Sequence, residues 1–224
     1  MAKTKNKLAF TLPVLGLVCL LGLCFEYVII LFEQFIYNKN YYKFTITESI
    51  THWLITSVLW GMLGLVLFYV TARIYKFNLL KKEKLPQKRD IFTEIFLLIV
   101  AFAVKLLVYG GWKPIIDFKQ SGWFQFIFQY IYYLFEAGIL LMMIIFVQES
   151  AERFLRAKKI KLTNLPWGGI VLSLTWGIIH TVTEVSLPIA LCITMLSLFF
   201  GIAHIAANKN FYISYAMILI LYLV

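Results

Sequence analysis

The chain has 224 residues, 62% of them hydrophobic and 14% charged, with a mean hydropathy of +0.84 and a formal net charge of +10. Soluble domains average about 45–50% apolar and about 25% charged residues, so this composition excludes an ordinary soluble globule and points to lipid as the solvent. The length leads us to expect one helical membrane domain without a soluble partner domain.

The opening Met1-Ala-Lys-Thr-Lys-Asn-Lys7 precedes an apolar stretch from Leu8 to about Phe32. That stretch is too long for a signal-peptide h-region and no small-residue cleavage site follows, so it reads as a retained first helix. Six further spans are expected, at about 53–75, 91–112, 123–148, 166–182, 187–207 and 211–224. A full crossing takes about 20 residues, so the fifth and seventh are short, and the end at Val224 reads as a truncation or a stop inside the membrane. The apolar runs are continuous rather than alternating, which favours helices over a barrel. The expected fold is an all-α polytopic membrane helical bundle of about seven transmembrane helices. Helices one to three occupy 1–122, and a core of helices four to seven occupies 123–224.

Basic residues set the expected orientation. Lys3, Lys5 and Lys7 precede span one; Lys76, Lys81, Lys82, Lys84, Lys88 and Arg89 follow span two; Arg153, Arg156, Lys158, Lys159 and Lys161 follow span four. The connections near 33–52, 113–122 and 183–186 are much poorer in Lys and Arg. All three clusters then lie in the cytoplasm if the N-terminus does, as expected for a multi-pass cell-membrane protein. Topology and contact with the lipid bilayer account for the positive charge, and no nucleic acid is expected as a partner.

Other residues read as structural. Trp53, Trp112 and Trp123 sit at span ends as interfacial anchors. Cys19, Cys24 and Cys192 lie in apolar runs without metal spacing. Gly61, Gly64 and Ala72 suit close helix packing. Glu26, Glu94, Lys105 and Glu136 fall within or near apolar runs. A Lys105–Glu136 or Lys105–Glu94 pair inside the bundle is the structural reading; a transport or proton path is the other.

Two ionisable residues point to chemistry. Glu149 lies in Gln148-Glu149-Ser150-Ala151-Glu152-Arg153, at the end of the apolar run 137–147, and His180 lies deep in the next run. Ionisable groups at membrane depth cost several kcal/mol and are functional candidates by default. No Gly or Pro interrupts 148–161, so span four is expected to continue as a helix to about Lys159. Glu149 then lies roughly 15 Å below that end, and His180 about 21 Å in from Pro166 on the next helix. The two side chains are therefore expected at a shared depth. Glu149 and Arg153 are four apart on one face and are expected to pair. A carboxylate facing an imidazole in a dry cavity can activate water, with or without a metal.

These segments resemble the CPBP family, the CAAX proteases and bacteriocin-processing proteins. The family's Glu-Glu-x-x-x-Arg stands here as Gln148-Glu149-Ser-Ala-Glu-Arg153, and its Phe-x-x-x-His as Trp176-Gly-Ile-Ile-His180. The flank from Ser173 to His180 and the separation of the two motifs are also similar, and the resemblance covers about 125–224. It implies an intramembrane peptidase open to the cytoplasm, cutting a membrane protein or peptide precursor. Glu149 and His180 would activate water, Arg153 would hold the helix, and Gln148 and Trp176 would support the site. A third family motif, His-x-x-x-Asn, has a literal match at His204-Ile-Ala-Ala-Asn208. His204 is either that motif, shifted, or an incidental residue near the cytoplasmic end of span six; on the other alignment the third histidine falls near Met217–Leu219.

The chain also departs from the family. The first glutamate is Gln148, whose amide cannot accept a proton, and the family's phenylalanine before the arginine is Glu152. A divalent metal such as zinc remains open, with Glu149, His180 and His204 as candidate ligands; two ligands fall short of the three usual at catalytic zinc. The alternative expectation is a catalytically inactive CPBP-like protein that binds a partner, in bacteriocin immunity or sensor-kinase regulation.

Overall fold

A computed structural model describes residues 2–80, 85–162, 164–183 and 186–223. The chain is all-helical, with no strand among the described residues. α1 runs Ala2–Tyr37 and α2 Ile46–Tyr69, the latter continued by a π-helical turn Val70–Ile74. α3 is Lys88–Tyr109 and α4 is Lys113–Ala157. We label as α5 the broken helix of Trp167–Leu172, a π-helical turn Ser173–Gly177, and Ile178–Thr183. α6 is Leu187–Ala206 and α7 is Phe211–Leu223. Among the described residues, five stretches are long and apolar enough to cross a membrane: Phe10–Tyr37, Ile46–Ile74, Lys88–Tyr109, Lys113–Ala157 and Leu187–Ala206. α5 and α7 are the shorter pair, at the fifth and seventh expected spans.

Local chemistry explains where helices begin and end. α2 starts seven residues before the expected 53 because Thr45 caps it: Thr45 Oγ1 accepts from the Glu48 N–H and Glu48 returns a carboxylate to the Thr45 N–H. That capping box lies in polar sequence that hydropathy alone passes over. α3 opens on a similar box between Gln87 and Asp90 and stops at Gly110, at φ 72°. α4 opens with Pro114 in its first turn and is broken at Gly122, whose φ of 70° and ψ of 168° suit glycine alone.

α4 is the hub. It packs against α1, α2, α5 and α7, and 61% of its most apolar window is buried, against 22% for α1 and for α3. The core is continuous from Leu12 and Trp60 through Ile139 and Phe146 to Phe200 and Ile218, so residue 122 marks a kink and not a gap in packing. α6 lies against α3, α5 and α7. Its closest approach is to α5: a Cβ on Gly201 would stand 2.4 Å from the Cα of Gly169. Such small-residue crossings suit helices in lipid, where association rests on van der Waals contact.

The bundle has two unlike ends. Residues 75–80, 85–87, 158–162 and 207–210 gather at one, the basic end, and the 38–45, 110–112 and 186 connections lie at the other. Cys19 and Cys192 are buried free thiols and Cys24 is half-buried. Trp112 and Trp123 are exposed near span ends. Trp53 departs from the expected anchor role: it is 9% exposed, because α2 begins before it and carries it into the bundle.

Candidate functional site

The approach of α5 to α4 fixes Gln148. Its Oε1 accepts the Gly168 N–H at 3.0 Å, and its Nε2 donates to the Leu165 carbonyl at 3.0 Å and to Glu152 Oε1 at 2.8 Å. Acceptor and donors are all engaged, in a side chain only 1% exposed. The amide oxygen satisfies one of the free N–H groups at the start of α5, a need every helix N-terminus has, and the nitrogen shares the Leu165 carbonyl with the Trp167 N–H. Glu152 beside it is also buried and is held by Arg156 at 3.0 Å and by Lys209 at 2.6 Å. Lys209 sits in the turn after α6, so this carboxylate ties α4 to the α6–α7 connection.

Glu149 pairs with Arg153 as the spacing implied. Arg153 Nε and Nη2 both lie 2.7 Å from Glu149 Oε1, and each side chain is 29% exposed. Both line a cavity of about 320 Å³ at the basic end, together with Lys76, Gln148, His204 and Lys209. His204 is 2% exposed, and its Nδ1 lies 2.8 Å from Ser214 Oγ on α7. Asn208, in the left-handed region at φ 52°, donates to the Leu85 carbonyl at 3.1 Å and lines neither cavity described here.

His180 is elsewhere. It lines a separate cavity of about 430 Å³ toward the opposite end, with its ring 4.5 Å from that of Trp176, edge to face. The shared depth expected for Glu149 and His180 is not what the helices give. The physical reason is register. The chain after Ala157 runs back beside α4, and α5 starts level with Gln148, not with the end of α4. On antiparallel helices, a residue twelve beyond Gly168 is level with one twelve before Gln148. His180 therefore lies at the level of Glu136, and both line the larger cavity.

That cavity collects Glu26, Lys105 and Glu136, whereas Glu94 does not line it. Tyr132 O–H donates to Glu26 Oε1 at 2.6 Å, and Tyr222 O–H to Glu136 Oε2 at 2.7 Å. Lys105 pairs with neither Glu136 nor Glu94, as the sequence had suggested. Its Nζ donates to the Leu221 and Tyr222 carbonyls at 2.9 and 2.7 Å, because α7 ends against α3 and exposes carbonyls there. Tyr41, in the 3₁₀ turn Tyr41–Lys43, also lines the cavity; burial, and then the Glu26 carboxylate, pushes its phenol above the usual tyrosine range.

Hydropathy reading missed two constellations. One is the Gln148–Glu152–Lys209 network. The other is His52, wholly buried, with Nδ1 2.7 Å from Glu33 Oε2 and Nε2 3.2 Å from Glu26 Oε1. A signal existed for the second, since Glu26 and Glu33 are seven apart and share a face of α1. As a metal site the donors do not fit. Among the described residues no group of three or more His, Cys, Asp or Glu side chains is placed to hold an ion, and Glu149 and His204 alone fall short of a catalytic zinc set. No family model, no curated protein and no solved structure matches the chain.

Proposed function

We propose that this is a CPBP-like protein of the bacterial cytoplasmic membrane that acts by binding a membrane partner, not by cutting one, with its basic end in the cytoplasm. A sensor kinase or a bacteriocin receptor is the class of partner the resemblance suggests. One observation carries the reading. Gln148, at the position of the family's first glutamate, is committed at both ends of its amide to holding α5, while Glu149 and His180 line different cavities. A water held by one is out of reach of the other. The test incubates purified protein with a pool of membrane proteins and peptide precursors and reads new termini by mass spectrometry. The binding reading expects none beyond a buffer control.

A second reading has its own observation. Glu149 and His204 line the same cavity at the basic end, so a carboxylate and an imidazole do meet in one space. On this reading the protein is a peptidase, and Glu149 is released from Arg153 when substrate enters. New termini made by the wild type and lost in both Glu149→Ala and His204→Ala would establish it and overturn the binding reading.

A further inference from the structure

The 430 Å³ cavity has walls of a particular chemistry. Glu26 and Glu136 contribute carboxylates, and Tyr27, Trp53, Tyr133 and Trp176 contribute aromatic rings. Glu136 is 4% exposed, and its one hydrogen bond among the described residues is from the neutral hydroxyl of Tyr222. No lysine or arginine among the described residues pairs with Glu26 or Glu136. The two lysines that reach the cavity are engaged elsewhere: Lys105 on the carbonyls ending α7, and Lys113 on Asp117 at 2.5 Å. Glu26 is part-exposed and shares the His52 imidazole with Glu33, which leaves Glu136 as the buried carboxyl with no basic side chain bonded to it, an unfavourable position in a medium this apolar.

The mouth of the cavity already shows how it treats a cation. The Lys113 ammonium stands 5.2 Å from the ring centroid of Tyr133 and 5.8 Å from that of Tyr109, with the Asp117 carboxylate against it. Carboxylate plus tyrosine faces is the combination that holds an ammonium group. The same cavity also carries Glu26 and Glu136 with the rings of Tyr27, Trp53 and Trp176, and its volume falls in the usual range for small-molecule sites, about 300–1,000 Å³.

We propose that this cavity is a binding site for a small organic ammonium compound, an amine or quaternary ammonium with an apolar substituent. The ammonium sits between Glu26 and Glu136 and the substituent lies against Trp53 and Trp176. Entry is from the end opposite the basic one, where Tyr41, Tyr42 and Lys113 form the rim. The site is independent of how the Glu149 cavity works, so the two proposals fail separately.

The probe is benzyltrimethylammonium, compared with neopentylbenzene, which has the same shape and no charge. Purified full-length protein in a neutral maltoside detergent is titrated with each, and binding is read from tryptophan fluorescence and equilibrium dialysis. Saturable binding of the cation, with the neutral compound at least about tenfold weaker, is the expected result. Glu136→Gln keeps an acceptor for Tyr222 and is expected to weaken the cation about tenfold or more, while exposed Arg89→Gln leaves it unchanged. Equal binding of the two compounds, or no binding of the cation by the folded wild type, overturns the site without recourse to any variant. Unchanged affinity in a Glu136→Gln protein that elutes and melts as a folded species overturns it too.

Discussion

Gln148 and Gly168 set the register of the bundle: a single 3.0 Å hydrogen bond from the Gly168 N–H to the Gln148 amide brings α5 in level with the middle of the polar end of α4. Everything further along α5 takes its depth from that contact. Trp176 and His180 reach the larger cavity because of it, and Glu149 stays in the smaller one.

Gln148→Glu, which restores the resembled motif, is expected to weaken the protein. The new carboxylate loses the donor to the Leu165 carbonyl and faces Glu152 where an amide now bonds it at 2.8 Å. The loss should be about 3 kcal/mol, from a buried charge set against Glu152; the Leu165 carbonyl keeps the Trp167 N–H as a donor. Thermal unfolding in detergent measures it; a melting point at or above the wild-type value would show that the amide is not what holds α5.

Lys105→Met removes the donor that closes α7. The carbonyls of Leu221 and Tyr222 then lose their buried partner, at about 1–3 kcal/mol. Hydrogen exchange should rise in α7 and leave α2 unchanged. Uniform exchange across both helices would count against a local role for Lys105.

Gly201→Ala and Gly138→Ala should differ in sign. A Cβ on Gly201 meets the backbone of Gly169 at 2.4 Å, whereas on Gly138 its nearest neighbour is the ring of Tyr215 at 3.9 Å. The first overpacks the α5–α6 crossing by about 1–3 kcal/mol or more. The second gains the helix preference of alanine, roughly 0.5–1 kcal/mol. Equal melting points for the two variants would remove the case for a tight α5–α6 crossing.

Gly122→Ala should straighten the start of α4. Lys113 Nζ lies 3.3 Å from the hydroxyl of Tyr133, twenty residues on, and the Tyr130 hydroxyl donates to Asp117 at 3.4 Å. No straight helix allows either contact, so 113–121 must fold back at Gly122, and alanine at φ 70° resists that by about 1–3 kcal/mol. Spin labels at 117 and 130 read the change. They should be close in the wild-type background and move toward the roughly 20 Å of a continuous helix when alanine is present. An unaltered distance would place the origin of the fold-back elsewhere.

Helix positions were largely legible in the sequence, because lipid forces long apolar runs and charge bias marks their ends. The Glu149–Arg153 pair was legible for the same reason, since both partners lie on one helix and the four-residue spacing decides it. What sequence could not give was relative depth. Counting from Pro166 treats α5 as starting where α4 ends, and only the long-range contacts of Gln148 show that it does not. His52 escaped because hydropathy began the second span at 53, one residue beyond it, while the cap at Thr45 carries it inside. Lys105 escaped because its acceptors are backbone carbonyls, which no side-chain pairing rule can find.

The wide turn at Ser173–Gly177 amounts to one extra residue inserted into an otherwise ordinary helix. Side chains before it follow one angular phase and those after it another, offset by roughly 100°. The direction of His180 is thus set by the number of residues in that turn rather than by their identity. Deleting Leu174, which is exposed and does not line the cavity, would rotate His180 around the helix without removing any residue that lines it. Chain length at this point is itself a determinant of what the cavity contains, and it would go unnoticed in a comparison that scores residue identity alone.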